Sequence, residues 1–219
     1  MRINSSGRTI TVAVDFTHAQ PGARAALASV VEETSAATGI DLDIVETAVD
    51  GTPIDGAIGV RWAPTGALPM LVGNVIGLGG FGATTERILW GTVIVRSDVD
   101  LGVQPGGDDL LRFVLAHELA HALGLGHVDD PTQLMNPYSS GHDTFQDGDR
   151  TGLALLGAAS GCIAPPRSES LDLPGRPVTV IRIVASRRLS PRVWVARSVV
   201  TTPAETALTR MPWRATSLA

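Results

Sequence analysis

Three of the five histidines in this chain lie in one short segment, residues 117–127, which reads His-Glu-Leu-Ala-His-Ala-Leu-Gly-Leu-Gly-His. His117 and His121 are four positions apart, so on a helix their imidazoles share one face and can bind the same zinc ion. His127 would lie on the far side of a continuing helix. Gly124 permits the chain to leave the helix and return, because glycine adopts positive φ at little cost. The segment therefore predicts three zinc ligands.

Glu118 is the residue whose position predicts catalysis. Three neutral histidines leave one tetrahedral zinc position open, as catalytic sites require. The Glu118 carboxylate, next in sequence to a ligand, can reach water at that position, remove its proton and pass it to the leaving amine. The pattern predicts a zinc-dependent endopeptidase with Glu118 as general base. His-Glu-x-x-His alone is equally compatible with a structural or surface pair, and Gly124 and His127 make this segment distinctive.

The chain before this segment has the hydrophobic pattern of one helix among several strands. A run rich in β-branched residues at 9–16 alternates as a strand with at least one covered face does. Apolar residues at helical spacing predict a helix over 23–38, with Gly39 as its stop. Shorter apolar runs bounded by turn residues predict further strands. They lie at residues 42–46, 57–62 and 88–96, with a short, irregular strand expected within 71–85.

Two helices are expected after these strands. Asp108 or Asp109 can cap the first of them, which carries the histidine pair and is expected to end around Gly124. A last helix is expected at about 147–156. The active-site helix thus lies between the strands and a final helix.

A methionine-containing segment follows the histidines: residues 134–137 read Leu-Met-Asn-Pro. Met135 alone would be interpreted as core filler. With the histidine motif, however, residues 9–157 resemble the metzincin clan of zinc metalloproteases and, within it, the matrixin-like proteases, including bacterial members. The resemblance implies an α/β, zincin-like fold: a twisted, mostly parallel five-stranded sheet with an antiparallel edge strand, a helix A, an active-site helix and a small C-terminal subdomain.

The resemblance also implies roles for particular residues. Met135 is expected in a turn beneath the zinc, as a hydrophobic base rather than a ligand. Substrate is expected along the edge strand at 79–84, which includes Gly80. Pro137 and Tyr138 are expected in the wall of the pocket on the leaving-group side, although Tyr138 could instead simply pack against Pro137.

One catalytic zinc is the metal content that we expect. Animal matrixins often carry histidines for a second, structural zinc, and this chain has none at the corresponding place. Calcium is possible, with Asp98 and Asp100 as the suggestive cluster. Asp129 and Asp130 follow the third histidine and could orient an imidazole, or they could be solvated loop charges.

The formal net charge of -5 combines two different parts of the chain. Residues 1–157 carry 19 acidic and 8 arginine side chains, whereas residues 158–219 carry 3 acidic and 9 arginine side chains. We interpret the first part as the catalytic domain. Its acidity argues against nucleic acid as a partner. The zinc-protease pattern predicts a protein or peptide substrate instead, and we expect a monomer.

The location of the protein is expected from the resemblance alone. Matrixin-like proteases are secreted, which implies an extracellular protein, yet residues 1–7 lack the apolar run of a signal peptide. The uncharged stretch between Arg61 and Glu86 contains prolines and glycines that would leave backbone groups unpaired in lipid. We therefore expect no membrane span.

Residues 158–219 form a basic extension with two apolar runs, at 178–184 and 193–200. The extension is expected to be either poorly ordered or a short hairpin. Two alternatives to an active protease remain: a zinc-binding module without activity, for instance because this tail blocks the cleft, and an interaction protein that works through the basic tail. Glu118 favours the protease, since a structural site needs no carboxylate beside an open coordination position.

Overall fold

The computed structural model describes residues 2–3, 9–84, 87–102, 109–138, 141–157, 178–186 and 198–202, and for 2–3, 178–186 and 198–202 it describes the backbone. Within these residues the chain forms eight strands and three helices. In chain order they are β1 (Arg2–Ile3), β2 (Thr9–Asp15), α1 (Ala23–Thr38), β3 (Asp41–Glu46), β4 (Ala57–Ala63), β5 (Val75–Ala83), β6 (Arg87–Arg96), α2 (Leu110–Ala122), α3 (Asp147–Leu156), β7 (Val178–Ser186) and β8 (Ser198–Thr202).

Five strands form the sheet expected from the sequence. Their spatial order is β3-β2-β4-β6-β5. The first four are parallel to their neighbours, and β5 is antiparallel to β6. Parallel neighbours need a crossover connection, and α1 supplies it between β2 and β3. The mixed α/β fold with a mostly parallel five-stranded sheet and an antiparallel edge strand is confirmed. The short β1 pairs in parallel with the start of β6.

β5 differs from the short, irregular strand that its glycines predicted. It runs for nine residues, with one register shift between Gly82 and Ala83. Glycine weakens a strand because it has no side chain to pack and loses more entropy than other residues. Here the sheet passes close to α2 and to the Trp90 ring, where only glycine leaves enough room. Tertiary packing therefore outweighs the local preference.

Two further strands come from the C-terminal part of the chain. β7 pairs antiparallel with β5, from Val75 opposite Ser186 to Ala83 opposite Thr179. β8 pairs antiparallel with β7. The second predicted run is shifted, since β8 begins at Ser198, and residues 193–197 lie outside the described residues. The sheet thus continues beyond its predicted edge strand.

The main core lies between the helices and one face of the sheet. Alternate residues of β2 (Ile10, Val12 and Val14) are buried in it, as the sequence pattern predicted. α2 lies deepest: twelve of its thirteen residues are buried, and Arg112 is the exception. A helix buried on every side is apolar on every side, so the histidines and Glu118 are the polar groups that this helix carries inward.

One carboxylate joins the three helices. Glu33 of α1 forms ion pairs with Arg112 of α2 and with Arg150 of α3, at 2.6 Å in the second case. It also accepts a hydrogen bond from the Phe145 backbone N–H at 3.1 Å. Arg112 and Glu33 are mostly shielded from solvent, so salt screens their interaction less than that of an exposed ion pair. In the described part of the chain, no helix is long and apolar enough to cross a bilayer.

Candidate metal centre

α2 places the first two histidines on one face. The helix begins after Asp109, whose side chain accepts a hydrogen bond from the Arg112 backbone N–H at 3.0 Å, and this cap was one of the two predicted. His117 and His121 follow one turn apart. Both are completely buried, so their ring nitrogens face the protein interior or the site rather than bulk water.

The chain leaves α2 at the glycine that the sequence indicated. Gly124 has φ 106°, and its N–H donates to the His121 carbonyl at 3.0 Å. The N–H of Leu125 donates to the Ala120 carbonyl at 3.0 Å, which closes the end of the helix. This turn reverses the chain and returns His127 towards the other two histidines.

The three imidazoles meet at their Nε2 atoms. The Nε2 atoms of His117 and His121 are 3.0 Å apart, those of His117 and His127 are 3.0 Å apart, and those of His121 and His127 are 3.1 Å apart. One ligand atom from each residue therefore lies within reach of a single metal ion. This is the one such group of three or more His, Cys, Asp or Glu side chains within the described residues.

Backbone carbonyls set the tautomers of two of these rings. His117 Nδ1 lies 2.9 Å from the Leu134 carbonyl oxygen, and His121 Nδ1 lies 2.7 Å from the Leu125 carbonyl oxygen. A carbonyl oxygen accepts, so each Nδ1 carries the proton and donates it. In neutral rings both Nε2 atoms then hold lone pairs that face each other. A cation between them removes this repulsion, and the donor set fits zinc.

The surroundings also keep these rings neutral. The pKa of His117 is lowered to about 3, chiefly by burial and then by the charge of His127, while the hydrogen bond to the Leu134 carbonyl opposes the change. The pKa of His121 lies well below its ordinary value, again chiefly because of burial and then because of its two histidine neighbours. Rings that do not compete for protons at neutral pH are available to a metal.

The Glu118 side chain extends from α2 towards β5. This residue is completely buried. A Cβ atom added to Gly77 would lie 2.6 Å from its Oε1, and one added to Gly79 would lie 2.7 Å from its Oε2 and 2.5 Å from its backbone oxygen. Such distances are not tolerated by real side chains, so glycine at both positions is what lets β5 contact the carboxylate. The sequence signal was two glycines spaced by two within a strand, which by itself does not reveal the partner.

The methionine-containing turn is held from two sides. Met135 is completely buried, and its carbonyl accepts a hydrogen bond from the Val128 N–H at 3.1 Å. The buried Asp149 carboxylate accepts hydrogen bonds from the backbone N–H groups of Leu134 at 2.8 Å and Met135 at 3.1 Å. Since the Leu134 carbonyl in turn accepts from His117, Asp149 fixes a backbone segment that orients a metal-facing ring.

The role of Asp149 in holding the methionine turn was not predicted from the sequence. Asp149 is the third residue of α3 and forms a capping box with Gln146, whose N–H donates to it at 2.9 Å. That local pattern is visible in the sequence and predicts a helix start. Its contact with the methionine turn joins residues about fifteen positions apart, and no local spacing predicts that contact.

The residues that the sequence associated with substrate are placed as follows. Gly80 lies in β5, opposite Thr92 of β6 and Arg182 of β7. Pro137 and Tyr138 are half-buried and directly follow the methionine turn, where the Tyr138 N–H donates to the Asn136 side chain at 3.1 Å. Their contacts with substrate remain predictions.

The loop aspartates have other partners. Asp98 accepts hydrogen bonds from the Arg96 guanidinium and from Thr65, and the arginine, followed by the threonine, holds the pKa of this carboxyl far below its usual range. A carboxylate already paired with a cation is a poor start for a calcium site, and calcium stays a prediction. Asp130 accepts from both the N–H and the hydroxyl of Thr132. For His117 and His121, the orienting groups are carbonyl oxygens instead.

A comparison with protein families matches this part of the molecule. Residues 86–156 match the model of the matrixin family of peptidases. The matched segment runs from the start of β6 to the end of α3, and it includes the three histidines, Glu118 and the methionine turn. The family match and the geometry of the three histidines agree, and together they support a matrixin-like metalloprotease domain in this part of the chain.

Proposed function

We propose that this protein is a zinc-dependent endopeptidase that cleaves peptide bonds in proteins. The observation that carries the proposal is the convergence of three Nε2 atoms within 3.1 Å of each other, beside a buried glutamate, in a segment that matches a peptidase family. A three-histidine donor set leaves a fourth position for water or substrate. Extracellular action and a monomeric state are the further proposals that the family resemblance supports.

His117, His121 and His127 would hold the zinc. When bound, zinc supplies a water of lowered pKa, ~7, and polarises the scissile carbonyl. The Glu118 carboxylate accepts the proton of the attacking water and returns it to the nitrogen of the leaving amine. Because the carboxylate is shielded from bulk water, its electrostatic interactions with the reacting groups are stronger than in solution.

The other predicted residues serve binding and support in this proposal. An extended peptide lies along β5 near Gly80, and its leaving-group side faces Pro137 and Tyr138. Met135 forms the apolar base of the centre. Bound calcium, if present, is expected to support the loops rather than the chemistry.

The proposal is tested by substituting Glu118 with glutamine, which keeps the shape and removes the base. With zinc-loaded protein and denatured casein, we expect Glu118→Gln to lower kcat/KM by about 10² to 10⁴ while zinc content stays near one per chain. Glu32→Gln, the same change on the exposed surface of α1, is the matched control and keeps wild-type activity.

Two results would contradict the proposal. One is equal cleavage of casein by the wild type and Glu118→Gln. The other is the absence of cleavage both in the wild type and in variants whose strand β7 can no longer pair with β5.

A further inference from the structure

The side of β5 that does not pair with β6 is covered by a segment of the same chain. β5 uses one side to pair with β6 and the other to pair with β7, over a ladder from Val75 to Ala83. An edge strand presents unpaired N–H and C=O groups, and an extended peptide binds such an edge by adding one more strand. β7 makes the same kind of contact that an extended substrate would make.

The covered stretch is the one next to the general base. Ala185 lies opposite Gly77, and Ile183 lies opposite Gly79. These two glycines are the residues through which β5 contacts Glu118. Contacts also join β7 to α2, the helix that carries the first two histidines. β7 is thus placed beside the centre and not at a remote end of the sheet.

Sequence and charge both favour this pairing. The segment 178–186 reads Val-Thr-Val-Ile-Arg-Ile-Val-Ala-Ser, and β-branched residues dominate it, as they do in strands. Its other side pairs with β8, so that β7 is held in two ladders. The tail is basic while residues 1–157 are acidic, which favours association between them.

We propose that residues 178–186 act as an intramolecular inhibitory strand, which occupies the β5 edge beside Glu118 and competes there with extended peptide substrates. The inference rests on the proposed protease function, because competition has meaning only if a substrate uses this edge. A segment tethered to its own site acts at an effective concentration of order mM. The apparent affinity for substrate then equals the intrinsic affinity multiplied by the fraction of molecules whose edge is open.

A disulfide in the full-length chain tests the pairing without reference to activity. In a Cys162→Ser background, Leu78→Cys is combined with Val184→Cys, because Leu78 and Val184 lie opposite each other. Opposite Cα atoms in an antiparallel pair are ~4.5–5.5 Å apart, within the range that a disulfide bridges. Leu78→Cys with Arg182→Cys is the control, since diagonal neighbours are ~7–8 Å apart. We expect the first pair to oxidise at least ~tenfold faster, measured by mass spectrometry; equal rates, or no bridge in either, would overturn the proposal.

Proline substitutions in the full-length chain test the inhibition. Ile181→Pro with Ile183→Pro removes two backbone donors on the same side of β7 and disfavours a strand inside a sheet. Ile181→Ala with Ile183→Ala is the matched control, because it shortens the same side chains and keeps both donors. On denatured casein we expect kcat/KM of the proline variant to exceed that of the alanine variant by about tenfold, the factor for one open molecule in ten. Equal values would overturn the proposal, and so would autolysis within residues 178–186.

The two experiments separate this inference from the proposed function. If the in-register disulfide forms and no variant cleaves casein, the protease function is contradicted while the strand pairing stands. If the wild type cleaves casein and the proline variant is no faster than the alanine variant, the protease function stands and the inhibitory role fails.

Discussion

Two backbone carbonyl oxygens determine which nitrogen atoms of the histidine cluster can bind a metal. The Leu134 and Leu125 carbonyls each take the Nδ1 proton of one imidazole, and both Nε2 atoms are thereby left as acceptors. Without these carbonyls both tautomers of each ring would be populated, and one of the two would direct an N–H towards the metal position. The backbone of the methionine turn and of the helix end thus prepares the site before any ion binds.

Substitution of His127 is expected to weaken metal binding. Because His127 lies in the turn after α2, its loss leaves the helix that carries the other two histidines intact. We expect the wild type to bind about one zinc per chain and His127→Ala to bind it at least ~tenfold more weakly. The measurement is metal analysis after dialysis against a chelator of known affinity. His18→Ala changes an exposed histidine and is the control. Unchanged zinc affinity in His127→Ala would mean that the third ligand is another residue.

The buried rings also predict a pH dependence for the metal-free protein. The pKa of His117 is about 3 in the folded chain and ~6.5 in the unfolded chain. Between these values the unfolded state binds more protons, so the free energy of unfolding rises with pH. Stability is therefore highest above pH ~6.5 and falls with acidification, by up to about 1.4 kcal/mol per pH unit for this ring.

Thermal unfolding of chelator-treated protein between pH 8 and 5 measures this slope. We expect His117→Gln, which has no titrating ring at this position, to show a shallower dependence than the wild type. Identical slopes for the two proteins would show that the buried imidazole is not the group responsible.

The convergence of the three histidines was predictable, and the groups that support them were not. His117 and His121 are one helical turn apart and Gly124 permits the turn to His127, so a single sequence predicts that the rings meet. Their roles as zinc ligands, and that of Glu118 as base, stay predictions. Gly79 and Asp149 act on residues far along the chain. Their roles depend on which elements the fold brings together, and local pattern does not contain that information.

The packing of the strands and helices determines which distant residues come into contact. β5 passes so close to α2 that glycine is required opposite Glu118, and α3 directs Asp149 into the methionine turn. The bounds of α1 and α3 followed from helical spacing and agreed with the structure. β5 was predicted too short, because its glycines lower strand propensity while the tertiary contacts that require them are invisible locally.

Loss of the Asp149 carboxylate is expected to loosen the methionine turn. Asp149→Ala leaves three backbone donors (Leu134, Met135 and Gln146) without their acceptor. We expect the free energy of unfolding to fall by at least about 2 kcal/mol, with zinc affinity also reduced because the turn orients His117. Urea denaturation and zinc titration measure the two effects.

Two variants of α3 serve as comparisons for that result. Asp149→Asn keeps one acceptor oxygen, so its effect should be intermediate. Asp147→Asn, on the exposed first turn of the same helix, should stay within about 0.5 kcal/mol of the wild type. A stability of Asp149→Ala equal to that of Asp147→Asn would refute the supporting role.

The whole molecule combines an acidic domain with a basic extension. The hairpin in the extension was predicted as one of two alternatives, because β-branched runs are a local signal. Its partner was not predictable, since pairing between β5 and β7 joins segments about a hundred residues apart and any exposed edge could have received it.

Truncation after Gly157 tests whether the catalytic domain is a unit. The buried apolar clusters described for this chain lie within residues 10–153. We expect residues 1–157 to unfold in one cooperative transition, to keep one zinc and to cleave casein faster than the full-length chain. Circular dichroism during denaturation measures the first property. A broad, non-cooperative transition would show that the extension belongs to the folded core.

The Glu33 carboxylate has a consequence for how the centre keeps its dimensions. It binds Arg112 at the start of the histidine helix and Arg150 on α3, and α3 in turn carries the aspartate that holds the methionine turn. The histidine helix and the methionine turn are therefore both positioned by contacts to one residue, Glu33. Its helix, α1, contributes no group to the proposed reaction. We therefore expect a small shift of α1 to move the start of α2 and the methionine turn in the same direction, which would preserve the spacing between His117 and the turn.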